Sequence, residues 1–121
     1  MSTTDVANDL TAKVRAGDYH GAVNAHYHKD IVSIEPIGNP RDVKGIDACR
    51  KKGEMWNSTM EVHDGKIEGP FIAGNQFALR YIFDVTSKIN KQRMTLDEMA
   101  LYWVEGDKIV KEQFFYHMPG A

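Results

Sequence analysis

The half of the chain that follows Met60 is a succession of strand-like segments, and no other feature constrains the fold as much. The clearest segment alternates large apolar residues with smaller or charged ones, as a strand with one buried face does. Between the last two segments, Gly106 takes the first loop position of EGDK, which suits a tight type II′ turn. The pattern predicts an antiparallel meander over residues 60–74, 76–86, 93–104 and 108–117.

The half before Met60 favours helices, because its apolar residues recur every third or fourth position. In the last of these helices Arg50, Lys51 and Lys52 fall on the other side from the apolar stripe, so they are expected to face solvent. Helices followed by strands predict an α+β domain, with three N-terminal helices packed in a curved antiparallel sheet. The predicted helices span residues 5–16, 18–29 and 45–59, and a short strand stopped by Pro36 spans residues 30–37.

Length and composition restrict the function classes. A chain of 121 residues forms one domain, residues 1–121, around a single core. Fifteen basic against seventeen acidic residues give no reason to expect binding to nucleic acid or to an anionic membrane. The N-terminus lacks the pattern of a signal peptide and no apolar run could span a membrane, so a cytoplasmic location is expected. The single Cys49 cannot form an internal disulfide and is expected to be a core thiol.

Several motifs in this order carry a resemblance to a known family. They are the AGD between the first two helices, the EPIGNP turn followed by KGIDA, and the final GDKIVKEQFFY. The chain resembles the nuclear transport factor 2-like superfamily, specifically its ketosteroid isomerase and SnoaL-like branch. The resemblance implies a cone-shaped fold, in which a bent sheet wraps three helices and opens at one end onto an apolar pocket. It also implies a homodimer formed through the outer face of the sheet, where Leu101 and Trp103 are expected.

Glu35 is the first candidate site residue, because the resemblance places the general base of ketosteroid isomerases immediately before the proline of this turn. The isomerase also uses an oxyanion hole, made of a tyrosine on the first helix and a protonated aspartate on the penultimate strand. Those two positions fall on Leu10 and Ala100, which have no polar group. The protein is therefore not expected to be a true steroid isomerase.

Two further carboxylates follow from strand alternation. If position 100 faces the pocket, Glu98 and Tyr102 face it too. On the last strand Tyr116 matches a pocket aromatic of the isomerase, so Glu112 and Phe114 would share its face. We therefore expect Glu35, Glu98 and Glu112 to be catalytic, with a raised pKa on at least one of them. The alternative is a register shifted by one residue, or an ion pair of Glu98 or Glu112 with Arg80 or Arg93; Arg80 and Asp84 are expected on the outer face.

His26, Tyr27 and Trp56 are expected to reach the same pocket from the helices. Tyr102 and Tyr116 could equally be core aromatics with satisfied hydroxyls. No metal or other cofactor is expected: His26 and His28 are two apart on a predicted helix and point in nearly opposite directions. The other histidines, His20, His63 and His117, are expected to be partly exposed.

Two functions fit these expectations. One is an enzyme that moves a proton at a carbon next to a carbonyl, as an isomerase or cyclase would, on a small apolar cyclic molecule. The other is a non-catalytic small-molecule-binding or dimerisation module of the same fold. A cavity that carries carboxylates favours the enzyme, and an interior filled by apolar side chains favours the module.

Overall fold

A computed structural model of the chain describes residues 1–117, and three helices and six strands lie in that range. In chain order they are α1 (Thr3–Arg15), α2 (Tyr19–His26), β1 (Tyr27–Ile34), β2 (Asp42–Lys44), α3 (Ile46–Thr59), β3 (Met60–Ala73), β4 (Gln76–Ser87), β5 (Arg93–Glu105) and β6 (Lys108–Tyr116). The predicted α+β class is confirmed, and the four-stranded meander lies where the alternation placed it.

The predicted antiparallel meander is confirmed, but the sheet as a whole is mixed, because one further pair of strands is parallel. Its strand order is β2-β1-β6-β5-β4-β3, and β1 runs parallel to β6 whereas every other pair is antiparallel. Strands joined by a short hairpin must be antiparallel, but β1 and β6 are separated by most of the chain and can take either direction. The parallel pairing places Ser33 of β1 opposite Glu112 of β6.

The boundary between α2 and β1 also differs from the prediction. The helix ends at His26 instead of Lys29, and the strand runs from Tyr27 to Ile34 instead of starting at Asp30. Pairing with β6 begins at Tyr27, opposite Ile109, so the ladder of hydrogen bonds takes over from the helix at that point. The three-residue strand β2 was not predicted.

Local sequence signals define the ends of the first two helices. Ser2 and Asp5 form a capping box at the start of α1, in which each side chain accepts a hydrogen bond from the other residue's backbone N–H. Gly17 follows the helix with a φ of +77°, a conformation that favours glycine. The Asp18 carboxylate then accepts from the N–H of Gly21 at 2.9 Å and caps α2, as the sequence predicted.

The core lies between α1 and the inner face of the sheet. The predicted stripe of α1, Val6, Leu10 and Val14, is buried together with Phe77 and Leu79 of β4. Burial of this apolar surface stabilises the domain by about 25 cal/mol per Å². Tertiary hydrogen bonds add to it, because the Arg15 guanidinium of α1 donates to the carbonyls of Ile67 and Gly69 in β3.

The outer face of the sheet carries ion pairs, which confirms the expectation for Arg80 and Asp84. Arg80 contacts Asp97 and Glu68, and Arg93 contacts Asp84. These two arginines are therefore engaged on the outer face, so the alternative in which they pair with Glu98 or Glu112 is wrong.

Candidate functional site

A cavity of about 390 Å³ lies between the helices and the inner face of the sheet. This volume falls within the range of about 300–1,000 Å³ that is typical of small-molecule sites. Most of the lining is apolar or aromatic, and it also includes three carboxylates and a lysine. The aromatic residues of the lining are Tyr19, Tyr27, Trp56, Tyr81, Phe83, Tyr102, Phe114 and Tyr116.

Glu98 reaches the cavity because its position on β5 has the same parity as the core residue Ala100. Its cross-strand neighbours are Tyr81 of β4 and Tyr116 of β6. Burial raises the pKa of Glu98 to about 7; the negative charge of Glu35 adds to the increase, and the positive charge of Lys52 opposes it. Glu98 can therefore carry or release a proton near neutral pH.

Glu35 lines the same cavity from the end of β1. Its backbone N–H donates to the carbonyl of Arg41 at 2.8 Å, and Pro36 fixes the backbone of the next residue. The carboxylate Oε1 lies 2.6 Å from Nζ of Lys52, and about a fifth of the Glu35 side chain is exposed. The carboxylate thus faces the cavity as one half of an ion pair.

Glu112 is enclosed more fully, with 3% of its surface exposed. Its carboxylate accepts hydrogen bonds from the Tyr27 hydroxyl and, at 2.7 Å, from the Ser33 hydroxyl. Burial raises the pKa of Glu112, and the two hydrogen bonds oppose the increase. Both carboxylate oxygens have a protein partner on β1, so Glu112 connects β6 to β1 in the cavity wall.

Lys52 was expected on a solvated face, and that expectation is wrong. Its ammonium lies in the cavity wall, where it contacts Glu35, donates to the Ser33 hydroxyl at 2.7 Å and lies 5.1 Å from the ring centre of Phe114. The spacing of residues in the sequence could have predicted this position of Lys52. Lys52 lies three residues after Cys49 and four before Trp56, so it shares a helix face with both.

His26 was expected to line the pocket, but it lies outside the cavity lining and is 1% exposed. Its Nε2 lies 2.5 Å from Oδ2 of Asp9, which also accepts from the Lys13 ammonium. The histidine contacts α1 through Asp9, whereas the following residue, Tyr27, lines the cavity. The other expected lining residues, Tyr27, Trp56, Tyr102, Phe114 and Tyr116, all lie on the cavity.

Two lining tyrosines were not identified from the sequence as site residues. Burial raises the pKa of Tyr19 to about 12, and the negative charge of Glu98 adds to the increase. The hydroxyls of Tyr81 and Tyr102 are 2.8 Å apart and satisfy each other in the core. For Tyr81 the available signal was its alternation on the inner face of β4; for Tyr19 the only signal was its place in the first turn of α2.

The two positions that the resemblance to ketosteroid isomerases assigns to the oxyanion donors have no polar group here. Leu10 lines the cavity, and Ala100 is completely buried. Cys49 also lines the cavity, and burial raises the pKa of its thiol to about 12, which favours an unreactive thiol. His20, His63 and His117 are exposed.

No cluster of three or more histidine, cysteine, aspartate or glutamate side chains within residues 1–117 is arranged to hold a metal ion. In the same range, no helix has the length and apolar character needed to cross a membrane.

The family model of the SnoaL-like domain matches residues 1–116. This chain belongs to the SnoaL-like domain family. None of the curated proteins matches its sequence.

Solved structures agree with this assignment. A candidate SnoaL-like polyketide cyclase from Mesorhizobium loti, also named a carbohydrate phosphatase, is 41% identical, with a TM-score of 0.92 over 96% of this chain and 100% of that one. A candidate polyketide cyclase from Pseudomonas putida shares the fold at 17% identity, with a TM-score of 0.74 over 98% and 94% of the two chains. A candidate isomerase from Bacillus subtilis shares it at 11% identity, with a TM-score of 0.76 over 97% and 90%.

Proposed function

We propose that this SnoaL-like protein is an acid–base enzyme of the isomerase or cyclase type, which moves a proton at a carbon next to a carbonyl of an apolar cyclic substrate. The observation that carries the proposal is the pair Glu35 and Glu98, two carboxyl groups on one aromatic cavity in different electrostatic surroundings. Carboxyl groups whose surroundings differ in this way can divide the base and acid roles between them.

Glu35 is the base in this proposal, because its carboxylate is ion-paired with Lys52 and faces the cavity. Glu98 is the acid, since a pKa of about 7 leaves it protonated in a large fraction of molecules at neutral pH. Glu35 removes a proton from the carbon next to the carbonyl, and Glu98 returns a proton to the resulting enolate. Glu112, which sequence reasoning grouped with them, positions Tyr27 and Ser33 instead.

The names of the structural relatives are compatible with this reaction class. Cyclisation of a polyketide by an aldol step and isomerisation of a ketone both begin with removal of a proton next to a carbonyl. The phosphatase name carried by the Mesorhizobium loti protein fits this cavity poorly. Among residues 1–117, three carboxylates and one lysine line it, and that balance repels a phosphate ester.

Exchange of hydrogen for deuterium in D₂O tests the proposal without knowledge of the natural substrate. Wild-type protein should accelerate exchange at the carbon next to the carbonyl in some members of a panel of flat cyclic ketones, measured by NMR. Glu35→Gln keeps the shape of the side chain but cannot accept the proton, so it should slow exchange at least ~100-fold. Glu54→Gln, on the exposed part of α3, is the matched control and should leave the rate unchanged.

The second candidate is a non-catalytic small-molecule-binding module. The apolar Leu10 and Ala100 at the expected donor positions favour it, because loss of one oxyanion donor typically costs about 100-fold to 1,000-fold in rate. If the module is the right function, flat cyclic ketones raise the melting temperature of the wild type. No member of the panel would then exchange its protons faster than in buffer.

A further inference from the structure

The ammonium of Lys52 is the one cationic group among the described residues that line the cavity. It lies between two parts of the site: Glu35 Oε1 at 2.6 Å, which faces the cavity, and Ser33 Oγ at 2.7 Å, which donates in turn to Glu112. An ammonium has three N–H donors. Glu35 and Ser33 account for two of them, and no hydrogen bond to a residue in 1–117 uses the third.

We infer that Lys52 is the oxyanion-stabilising group of this site: its ammonium binds the carbonyl oxygen of the substrate and stabilises the enolate formed when Glu35 removes the neighbouring proton. The inference rests on the proposed function and assigns to Lys52 the role that Leu10 and Ala100 cannot perform.

The charge balance of the step supports this role. Before the transfer the negative charge is on Glu35, beside the ammonium. Glu35 then takes the proton, the C–H electron pair becomes the new carbon–carbon double bond, and the carbonyl π pair moves onto the oxygen. The negative charge has moved from Glu35 to an oxygen bound by the same ammonium, so Lys52 is paired in both states. An interaction that follows the developing charge lowers the barrier because it is already in place.

The surroundings of Lys52 keep this interaction strong. About a quarter of its side chain is exposed, and Phe114 lies against the ammonium. Coulomb attraction in such a partly dry site exceeds that between two exposed charges. Ser33 and Glu112 fix the ammonium from behind, since the hydroxyl that accepts from Lys52 itself donates to a buried carboxylate.

A flat phenol whose neutral and ionised forms differ in absorbance, such as p-nitrophenol, tests the inference without turnover. Bound phenolate mimics the enolate, and the Glu35→Gln substitution mimics the protonated base, so the probe is measured in that variant. We expect Glu35→Gln to bind phenolate at least ~10-fold more tightly than Glu35→Gln/Lys52→Met, and to shift ionisation of the bound probe to lower pH. The double variant removes both members of the ion pair together, which reduces the risk of misfolding.

Two controls sharpen the result. Lys52→Arg combined with Glu35→Gln keeps a positive charge and should retain most of the phenolate affinity, and Lys51→Met on the exposed side of α3 should change nothing. Equal phenolate affinity of Glu35→Gln and Glu35→Gln/Lys52→Met would overturn the inference. So would trapping of a ketone on Lys52 by borohydride, because an imine is a different role for the same lysine.

The proposed function can fail separately. If phenolate binding depends on Lys52 but no ketone exchanges protons, the lysine binds an oxyanion as inferred and the enzyme proposal is wrong. If exchange occurs and depends on Glu35 but is as fast in Lys52→Met, the enzyme proposal stands and the role given to Lys52 is wrong.

Discussion

Asp97 and Glu98 are neighbours on β5, yet their carboxyl groups have opposite electrostatic surroundings. Asp97 points to the outer face, where the Arg80 guanidinium binds both of its oxygens, at 2.9 and 2.6 Å. Hydrogen bonds from Arg80 lower the pKa of Asp97, whereas burial raises the pKa of Glu98 to about 7. Strand parity alone therefore separates a carboxylate that stays charged from one that can exchange a proton near neutral pH.

The contrast extends to the rest of the two faces. On the outer face Asp84, like Asp97, has an arginine of its own, and hydrogen bonds from Arg93 lower its pKa. On the inner face Glu35 contacts the ammonium of Lys52, whereas Glu98 and Glu112 form no ion pair with a residue in 1–117. In the single chain the outer pairs are partly exposed to solvent, whereas burial raises the pKa of Glu98 and of Glu112 on the inner face.

The largest effect is expected from removal of the charge at Glu98. Its folded-state pKa of about 7 lies above its ordinary value of 4.5, so the associated stability is fully present below pH 4.5 and lost as the pH rises through about 7. Glu98→Gln abolishes that loss. We expect its free energy of unfolding at pH 8 to exceed the wild-type value by up to about 3 kcal/mol, measured by urea denaturation.

The same variant carries a cost in activity, and the two readouts together test the assignment of Glu98. If Glu98 is the acid, proton exchange by the wild type declines above pH 7, and Glu98→Gln exchanges slowly with no such decline. A Glu98→Gln protein that is less stable than wild type at pH 8 would mean that Glu98 is held as a charged group, and it would contradict the acid role proposed for Glu98.

The contrast between the two faces was predictable from the sequence because β4 and β5 alternate strictly. The family resemblance suggested that position 100 faces the pocket, and alternation along β5 then predicted that Glu98 and Tyr102 face inward, while the alternation of β4 itself predicted that Arg80 faces outward. The register of these two strands in the structure agrees with that expectation. Because successive side chains of a strand point to opposite faces, the choice of inner face is either correct for every residue of the strand or wrong for every residue.

Other parts of the site depend on packing that the sequence pattern does not specify. The direction of β1 relative to β6 places Ser33 opposite Glu112, and no turn sets that direction. Lys52 lies at the border of the apolar stripe of α3. A lysine at such a position is expected to face solvent, but the carboxylate of Glu35 binds its ammonium in the cavity wall. Pairing of Tyr27 with β6 accompanies the end of α2 at His26, and His26 contacts Asp9 of α1 instead of the cavity.

An effect of intermediate size is expected for a substitution on the outer face of the sheet. The contrast between the two faces predicts a subunit interface on the outer face instead of a binding site. Met99 and Phe115 are cross-strand neighbours and are 51% and 48% exposed, beside the partly exposed Leu101 and Trp103. We propose that this apolar surface forms a two-fold homodimer. Light scattering should give twice the 13.7 kDa mass of the chain, and Phe115→Arg should shift the protein toward the monomer. A wild-type mass of 13.7 kDa at micromolar concentration would contradict the proposal.

The smallest effect on stability is expected for Asp97→Asn. This substitution neutralises the outward-facing carboxylate of β5, just as Glu98→Gln neutralises the inward-facing one. Because its folded-state pKa is lowered, Asp97 stabilises the protein above its ordinary pKa of 3.8, and this stability is lost as the pH falls. The substitution should therefore destabilise slightly at pH 7, opposite in sign to Glu98→Gln. The Asp97 side chain is half exposed, so about 1 M salt should screen its ion pair and remove most of the stability difference between Asp97→Asn and the wild type in urea denaturation. The stability gained by Glu98→Gln should be largely unchanged by salt. A loss for Asp97→Asn that is large and insensitive to salt would show that the two faces differ less than their geometry implies.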